Sequence, residues 1–389
     1  MIATSGSCKV SGKKLETRWE RDALGEIEVP VSAYWGPRTA RWIAGRRQDP
    51  TFRGRQYFHP YLIEGLCTLY KARLRVEREQ SVNEPTFSRI KAQVCDEVLS
   101  GQWRSEFVVT PTSSADGLAL LDNLEEVVER RALEIIGNLP GAGESAPALI
   151  ENNLSNVLLK EDSFMTGAKL ALLISAREMS QALLDLERLL RRKSLEFEKA
   201  LRSRGLESTS ELALARDFNA FGNAAGRHLQ RLHQVEERLL ELSLKSASKD
   251  SRVKLLQELS NLTGFKVRAG EEFGLGTHTQ AAAADILSAS SFVRELANEL
   301  MRLALGLSAL TLVKSSVPVL ASLQLNAVSV LALDFAAATA IREPIVSAGE
   351  RTFAQALAAQ AVVEAFCNLS QVIKYFNQEY LLGATLAEA

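Results

Sequence analysis

A long stretch of the chain repeats apolar positions with the period of one helical face. Between Thr166 and Arg204 these positions are separated by three, four or seven residues, and charged residues occupy the other side. Such spacing is typical of a helix that buries one stripe against its neighbours. The pattern therefore predicts one very long helix, whose apolar positions are Leu170, Leu173, Ile174, Met179, Leu183, Leu186, Leu190, Phe197 and Leu201.

Further helices are predicted downstream, bounded by capping residues and helix breakers. Ser208-Thr209-Ser210-Glu211 has the spacing of a capping box, so a second long helix is expected from about Glu211. No proline lies between Pro147 and Pro318, which permits helices of this length. The predicted helices cover about 211–245, 250–264, 281–310, 321–340 and 350–382, with a break around Pro344 and Gly349.

Strand-forming segments are sparse, and Phe107-Val108-Val109 is the best short β-run. We therefore predict an all-α protein. It has a small, mainly helical N-terminal domain over residues 1–140 and a long-helix bundle over residues 141–389. Long helices with short connections pack antiparallel. A bundle this apolar is expected to bury further surface by forming a symmetric oligomer.

One segment has the composition of a membrane span. Ser315 to Leu333 carries no charge, although it contains Gln324, Asn326 and Pro318. A membrane span needs about 20 predominantly apolar residues. The alternative is a helix in the middle of a bundle, apolar all round because neighbours cover every side. We favour the second interpretation and expect no membrane contact.

Composition and charge exclude some classes of protein. The 389 residues are 46% hydrophobic and have a formal net charge of −1, which excludes disorder over most of the length. A near-neutral chain is not expected to bind nucleic acid, because phosphate neutralisation needs a basic excess. Four scattered cysteines indicate neither a zinc site nor a disulfide framework. The N-terminal residues lack the pattern of a secretory signal. We expect a cytoplasmic protein with no metal and no cofactor.

Residues 16–43 contain a distinctive series of polar and small residues, and two further distinctive stretches follow at 96–109 and 123–134. In order, the first stretch shows Arg18, Glu20, Asp22, Gly25, Val29, Pro30, Ala33, Tyr34, Gly36, Thr39 and Arg41. This series resembles the opening of the aspartate ammonia-lyase and fumarase superfamily, except that Arg38 replaces the usual glutamine. The later stretches resemble that family's Asp-Glu-(Val/Ile)-x-x-Gly-x-(Trp/His)-x-x-x-Phe and Asn-x-Asn-Glu-Val segments.

The resemblance implies a fold, an assembly and a reaction. The fold is a mixed N-terminal domain and a domain of long helices, which four subunits pool into a homotetrameric core. The family's small C-terminal domain is expected to be missing after Ala389. Each active site is built from three chains. A serine on a mobile loop removes a proton beside a carboxylate, and an amine or water leaves to form fumarate.

Several motifs that would carry this chemistry are altered. The family loop Gly-Ser-Ser-x-Met-Pro-x-Lys-x-Asn-Pro corresponds to residues 313–320, where Ser315 and Ser316 keep the candidate base. Lys314 replaces the glycine as a candidate ligand group, and the family's own Lys and Asn have no counterpart. A shortened loop is poorly suited to close over a substrate.

Other positions keep only part of their motif. Asp162 persists in the stretch 152–162, but Glu161 stands where a dicarboxylate would bind and would repel it. His228 lies in a string similar to Gly-Arg-Thr-His-Leu-Gln, but that motif belongs near 202–208, so we expect a solvent-facing histidine. His278 is a candidate replacement base or a loop histidine at a helix start. The candidate substrate-binding residues are Thr112, Ser113, Ser114, Asn123, Thr277 and Lys314.

Three hypotheses follow. The first is a diverged superfamily protein that lacks the standard fumarate-forming elimination and acts as a non-catalytic or repurposed homologue. The second is an active C–N or C–O lyase on an altered succinyl-type or specialised-metabolite substrate, with Ser315 or Ser316 as base. The third is a remade enzyme with unrelated chemistry, since fold does not imply function. Each allows a small-molecule ligand.

Overall fold

Helices dominate the structure, which is a computed structural model. It describes residues 16–47, 57–79, 85–138, 160–205, 209–242, 244, 249–270, 277–308, 313–314, 317–342, 345–347 and 350–386. The molecule is 79% helical, with ten α-helices in those ranges, which confirms the all-α prediction.

The N-terminal part begins with a hairpin and continues with four helices. Strand β1 (Thr17–Asp22) pairs antiparallel with β2 (Gly25–Pro30). The turn between them is closed by Asp22, whose carboxylate accepts the backbone N–H of Leu24 at 2.8 Å, and Gly25 has a positive φ of 110°. The helices are α1 (Pro37–Arg47), α2 (Pro60–Glu79), α3 (Pro85–Leu99) and α4 (Leu118–Gly137).

Six further helices follow, and each overlaps most of a predicted helix. They are α5 (Lys160–Ser203), α6 (Thr209–Leu239), α7 (Lys249–Thr263), α8 (Thr277–Ser308), α9 (Val317–Arg342) and α10 (Gln355–Phe376). Helix α7 stops at Gly264 as expected, in the left-handed conformation, with its N–H donating to the Ser260 carbonyl. A π-helical turn, Asn377–Leu381, extends α10.

Two predicted boundaries differ because short strands intervene. Helix α6 ends before residue 245, since β3 (Glu241–Leu242) leaves the helix to pair in parallel with β4 (Arg268–Ala269). The predicted break near residue 344 is a hairpin of β6 (Ile345–Ser347) and β7 (Glu350–Thr352). Strand β5 (Val313–Lys314) pairs antiparallel with β8 (Thr385–Leu386).

The predicted β-run at Phe107-Val108-Val109 is wrong. These residues form no strand and follow a short 3₁₀ turn, Arg104–Glu106. Phe107 and Val109 are buried, while the N–H of Val108 donates to the side-chain oxygen of Asn123 at 3.0 Å. A side chain of α4 thus satisfies the backbone that a neighbouring strand would otherwise pair.

The long helices share one continuous apolar core with the N-terminal helices. Helix α5 packs against α2, α6 and α10, and α8 packs against α9. Helices α2 and α5 cross at two glycines, where a Cβ on Gly65 would lie 2.2 Å from the Gly167 carbonyl oxygen. The buried cluster runs from Phe58 to Ala384. The division into domains at residue 140 stays a prediction.

Helix α9 is less covered than its composition suggested. Leu325, Val328 and Phe335 on one face are 70%, 53% and 73% exposed. The prediction that neighbours cover every side is therefore wrong for a single chain, because among the described helices only α8 and α10 pack closely against α9. By length and composition two helices could cross a membrane: Pro318–Arg342, with 33% of its most apolar window buried, and Gln355–Leu381, with 78%.

Candidate functional site

The residues that carry the N-terminal resemblance hold the hairpin and α1 together. The Arg18 guanidinium donates to the backbone carbonyls of Pro30, Val31 and Trp35. Arg41 on α1 forms a bidentate ion pair with Asp22, at 2.6 and 2.8 Å. These side chains fasten the β1–β2 hairpin to α1 and to the segment between them. The hairpin and α1 together form the platform against which α4 packs.

Glu126 on α4 joins α4 to the start of α1. Its carboxylate accepts the backbone N–H groups of Gly36, Arg38 and Thr39 at 2.8, 2.8 and 3.0 Å. These donors lie at the start of α1, where backbone N–H groups lack partners within the helix. Glu126 is only 7% exposed. The sequence placed it in the segment similar to Asn-x-Asn-Glu-Val but did not indicate this role.

Arg38 occupies the position where the family pattern has glutamine. Its guanidinium lies 2.8 Å from the carboxylates of Asp122 and Glu125 on α4. Although burial alone would lower it, these neighbouring carboxylates keep the pKa of Arg38 above its ordinary value. The substitution therefore adds a fixed positive charge that α4 neutralises, and that charge is not available to a substrate.

The candidate turn Thr112-Ser113-Ser114 lies directly before α4. The N–H of Thr110 donates to the Ser113 hydroxyl at 3.1 Å, and the Thr110 and Thr112 hydroxyls share a 3.0 Å hydrogen bond. The Ser114 hydroxyl accepts the N–H of Ala119 at 2.9 Å and so caps α4. The three hydroxyls predicted to bind substrate thus all form hydrogen bonds within residues 110–119, to the turn itself or to the first turn of α4.

Asp116 occupies the helix N-terminus that follows the turn. Its carboxylate accepts the N–H of Leu118 at 3.1 Å, and Gly117 between them has a positive φ of 82°. A helix N-terminus attracts anions through its unpaired N–H groups and its partial positive charge. Here a carboxylate of the chain itself already fills that position. Sequence reasoning missed Asp116, although Asp-Gly directly before an apolar helix is a recognisable start signal.

Two other helix N-termini approach the same turn. A Cβ on Gly117 would lie 2.1 Å from the ring of Phe164, in the second turn of α5. The N–H of Ala356, in the first turn of α10, donates to the carbonyl of Ala115 at 3.0 Å. The structure therefore brings the 112–114 segment together with the start of α5. The side chains of Glu161 and Asp162 lie outside the described residues.

Asn123 serves the backbone in this structure. Its side-chain nitrogen donates to the carbonyl of Glu106 at 3.0 Å, and its oxygen accepts the N–H of Val108 at the same distance. The residue is fully buried. Its carboxamide therefore braces the segment that leads into the turn, and a substrate-binding role for it stays a prediction.

The remaining predicted site residues cannot be placed by their side chains. Ser315, Ser316 and residues 152–159 lie outside the described residues. The backbone of Lys314 lies in β5, and Thr277 and His278 begin α8, but their side chains lie outside the description. Their roles stay predictions.

His228 does not face solvent as expected from its charged neighbours. It is only 5% exposed, because α6 directs this side towards α8, and its ring meets Phe292 edge-on at 6.3 Å. Burial, with help from nearby Arg231, lowers the pKa of His228. That expectation was wrong because neighbouring charges in sequence do not report which face of a helix is covered.

Comparison with known proteins connects this geometry to a family. A family model described as lyase matches residues 25–317, more than half of the chain. The chain belongs to this lyase family. The match covers β2, the turn at 112–114 and helices α5 to α8, and it confirms the resemblance to aspartate ammonia-lyase and fumarase.

Curated relatives of this lyase-family chain match most of it at low identity. Aspartate ammonia-lyase from Bacillus sp is 22% identical over 310 residues, covering 75% of this chain and 64% of that protein. Class II fumarate hydratase from Thermosynechococcus vestitus is 24% identical over 301 residues, covering 74% and 62%. The chain thus spans a little less than two thirds of these curated relatives.

Solved structures show the same fold. The fumarate lyase:delta crystallin from Brucella melitensis bound to cobalt superposes with a TM-score of 0.80 at 19% identity, covering 95% of this chain and 85% of that one. The class II fumarase from Schistosoma mansoni gives 0.74 at 16% identity, with the same coverage. In the ranges described for our lyase-family chain, no three His, Cys, Asp or Glu side chains are grouped to hold a metal ion.

Proposed function

We propose that this lyase-family protein does not carry out the standard fumarate-forming elimination and acts as a non-catalytic or repurposed homologue. One observation carries the proposal: the turn at 112–114 uses its hydroxyls internally, and Asp116 fills the helix N-terminus beside it. Elimination from a succinyl-type substrate needs donors that are preorganised for a dianion. This turn instead presents an anion of its own.

Charge at the start of α5 points the same way. Glu161 follows Lys160 where the family has neutral residues, and the start of α5 adjoins the turn that carries Asp116. A carboxylate in this part of the sequence disfavours a second anion, because like charges repel. The proposal therefore concerns the ligand class: the old dicarboxylate position is closed to dianions.

We further propose a homotetramer held by the long helices. The outer face of α9 is largely apolar and carries no charge before Arg342, and Leu325 and Phe335 are mostly exposed in one chain. A second copy of the chain would cover this face in the way that the family resemblance implies. Cys67, Cys95 and Cys367 are buried free thiols, which supports a reducing, cytoplasmic location.

The activity test measures fumarate absorbance after adding aspartate, malate or argininosuccinate to the purified chain. We expect no turnover above that of a buffer blank. Turnover that disappears in Ser315→Ala or Ser316→Ala would overturn the proposal and support the active lyase, with a serine as base. Turnover that survives in both variants would overturn it as well and would direct attention to another base.

A binding test examines the physical cause. Asp116→Asn keeps an oxygen that can cap α4 but removes the charge, so we expect it to bind succinate roughly tenfold more tightly than the wild type, by calorimetry. Asp250→Asn, on the exposed start of α7, is the matched control and should leave the affinity unchanged. Equal affinities in all three proteins would show that Asp116 does not close the site.

A further inference from the structure

A groove of about 560 Å³ lies between α6 and α8, away from the turn at 112–114. This volume is in the range of small-molecule sites. The α6 wall carries Arg227, His228 and Arg231, and the α8 wall carries Glu295, Asn298, Glu299, Met301, Arg302 and Leu305. Basic, acidic and amide groups therefore converge on one cleft that the lyase reaction does not use.

His228 lines the groove with an unsatisfied ring. The residue is 95% buried, since only 5% of its surface is exposed, and its Nδ1 is covered and has no hydrogen-bond partner. Buried polar groups in folded proteins are nearly always paired, so an orphaned one needs an explanation. Because Nδ1 is covered, Nε2 is the ring nitrogen that a ligand in the groove can reach.

The charges in the groove leave one cation over. Arg231 pairs with Glu295 at 2.5 Å, and Arg302 pairs with Glu299 at 2.6 Å. Arg227 is exposed, and among the described residues it has no ion-pair partner. Each of these two ion pairs has no net charge. The groove therefore keeps the positive charge of Arg227 beside the imidazole. A guanidinium presents parallel N–H donors that fit a carboxylate or another oxyanion.

We propose that this groove binds a small oxyanion, held by Arg227 and by the N–H of His228 Nε2. The tautomer with hydrogen on Nε2 leaves only a lone pair, not a donor, unpartnered on the buried Nδ1. Asn298 adds a side-chain amide on the facing helix. The site is independent of the proposed function, since it shares no residue with the turn before α4.

The protonation state of His228 provides a specific readout. Burial and Arg231 lower the pKa of His228, while Glu299 and Glu295 oppose that shift, so the ring is neutral at neutral pH. A second proton would occupy the covered Nδ1, where it has no acceptor. The neutral ring therefore donates to the anion from Nε2, and binding should take up no proton. Calorimetry in buffers of different ionisation enthalpy measures this.

The experiment titrates the full chain with sulfate and, separately, with succinate. Sulfate does not titrate in this pH range, and comparing the two probes distinguishes a tetrahedral oxyanion from a carboxylate. We expect saturable binding of at least one probe, with the same enthalpy in every buffer. Arg227→Gln should weaken it roughly tenfold or more. His228→Leu, which removes the Nε2 donor, should also weaken it, and Arg216→Gln, an exposed arginine on the same helix, should change nothing.

Three results would overturn the inference: no binding of either probe, binding unchanged in Arg227→Gln and His228→Leu, or a binding enthalpy that reveals proton uptake. Light scattering on the same samples tests whether a second copy of the chain occupies the groove instead. A lower molar mass for Arg227→Gln would assign the groove to an interface and refute a ligand site. Tighter succinate binding in Asp116→Asn would concern the turn before α4 and leave the sulfate result intact.

Discussion

The exposed face of α9 predicts how strongly the chain associates with itself. Leu325 and Phe335 are 70% and 73% exposed in one chain, and the face that they share carries no charge before Arg342, two turns beyond Phe335. We would replace both with glutamine, which keeps the helix propensity but removes most of the apolar surface. Because neither side chain is packed in the single chain, the protomer should still fold.

The magnitude follows from the surface that remains to be buried. Full burial of one large apolar side chain stabilises by about 1.5–3 kcal/mol, so about 70% of that is roughly 1–2 kcal/mol for each position. A two-fold contact contains both residues from both copies, which gives about 4–8 kcal/mol per contact. Since about 1.4 kcal/mol is tenfold, the double variant should dissociate at least roughly a thousandfold more readily.

Light scattering after size exclusion measures the molar mass over a dilution series. We expect a tetramer for the wild type and smaller species for the double variant at the same concentration. Leu24→Gln, which removes an equally exposed side chain from the β1–β2 turn, should keep the wild-type mass. A monomeric wild type, or a double variant of unchanged mass, would refute the reasoning. Wild-type protein that co-sediments with lipid vesicles would assign the face to a membrane instead.

Three further predictions concern stability. Glu126→Ala leaves three N–H groups at the start of α1 without their acceptor, so we expect the free energy of unfolding to fall by about 3–5 kcal/mol. Faster hydrogen exchange over residues 34–42 measures this loss, and Glu26→Ala, at an exposed position, is the control. Gly117→Ala introduces a Cβ 2.1 Å from Phe164 at a φ of 82° and should lower the melting temperature by an amount equivalent to at least about 1–3 kcal/mol; an unchanged melting temperature would contradict the described geometry. Burial lowers the pKa of His59 and of His228 below the ordinary value of 6.5. The unfolded chain therefore takes up these protons before the folded chain does as the pH falls. The stability of the fold is full above pH 6.5 and declines below it. His228→Gln should flatten this acid-side decline in melting temperature, and an unaltered slope would contradict the assignment.

Much of the helical architecture followed from local pattern. The spacing of Leu170, Leu183 and Leu190 requires one continuous helix, and the structure has it as α5. Helix α7 ends at Gly264 because glycine adopts the left-handed conformation at little cost in free energy. The hairpin of β1 and β2 was not predicted, since its alternating residues are mostly polar and only partly buried.

The family, too, could be recognised from residues alone, because the structural ion pairs at the N-terminus keep their spacing. Arg18, Asp22 and Arg41 are recognisable in sequence since each must reach a particular backbone group or partner. The state of the candidate site could not be predicted in the same way. Whether a hydroxyl such as that of Ser114 is available depends on a hydrogen bond to Ala119 that exists only once α4 has formed.

Periodicity and spacing were therefore sufficient for the fold class and the lyase family, because both depend on contacts between residues near in sequence. The burial of His228 and the exposure of Leu325 depended on which helices pack side by side, and that is set by contacts distant in sequence. The same holds for the convergence of the α4, α5 and α10 ends on one turn. A helical pattern identifies a stripe that must be covered, but only the packed molecule decides what covers it.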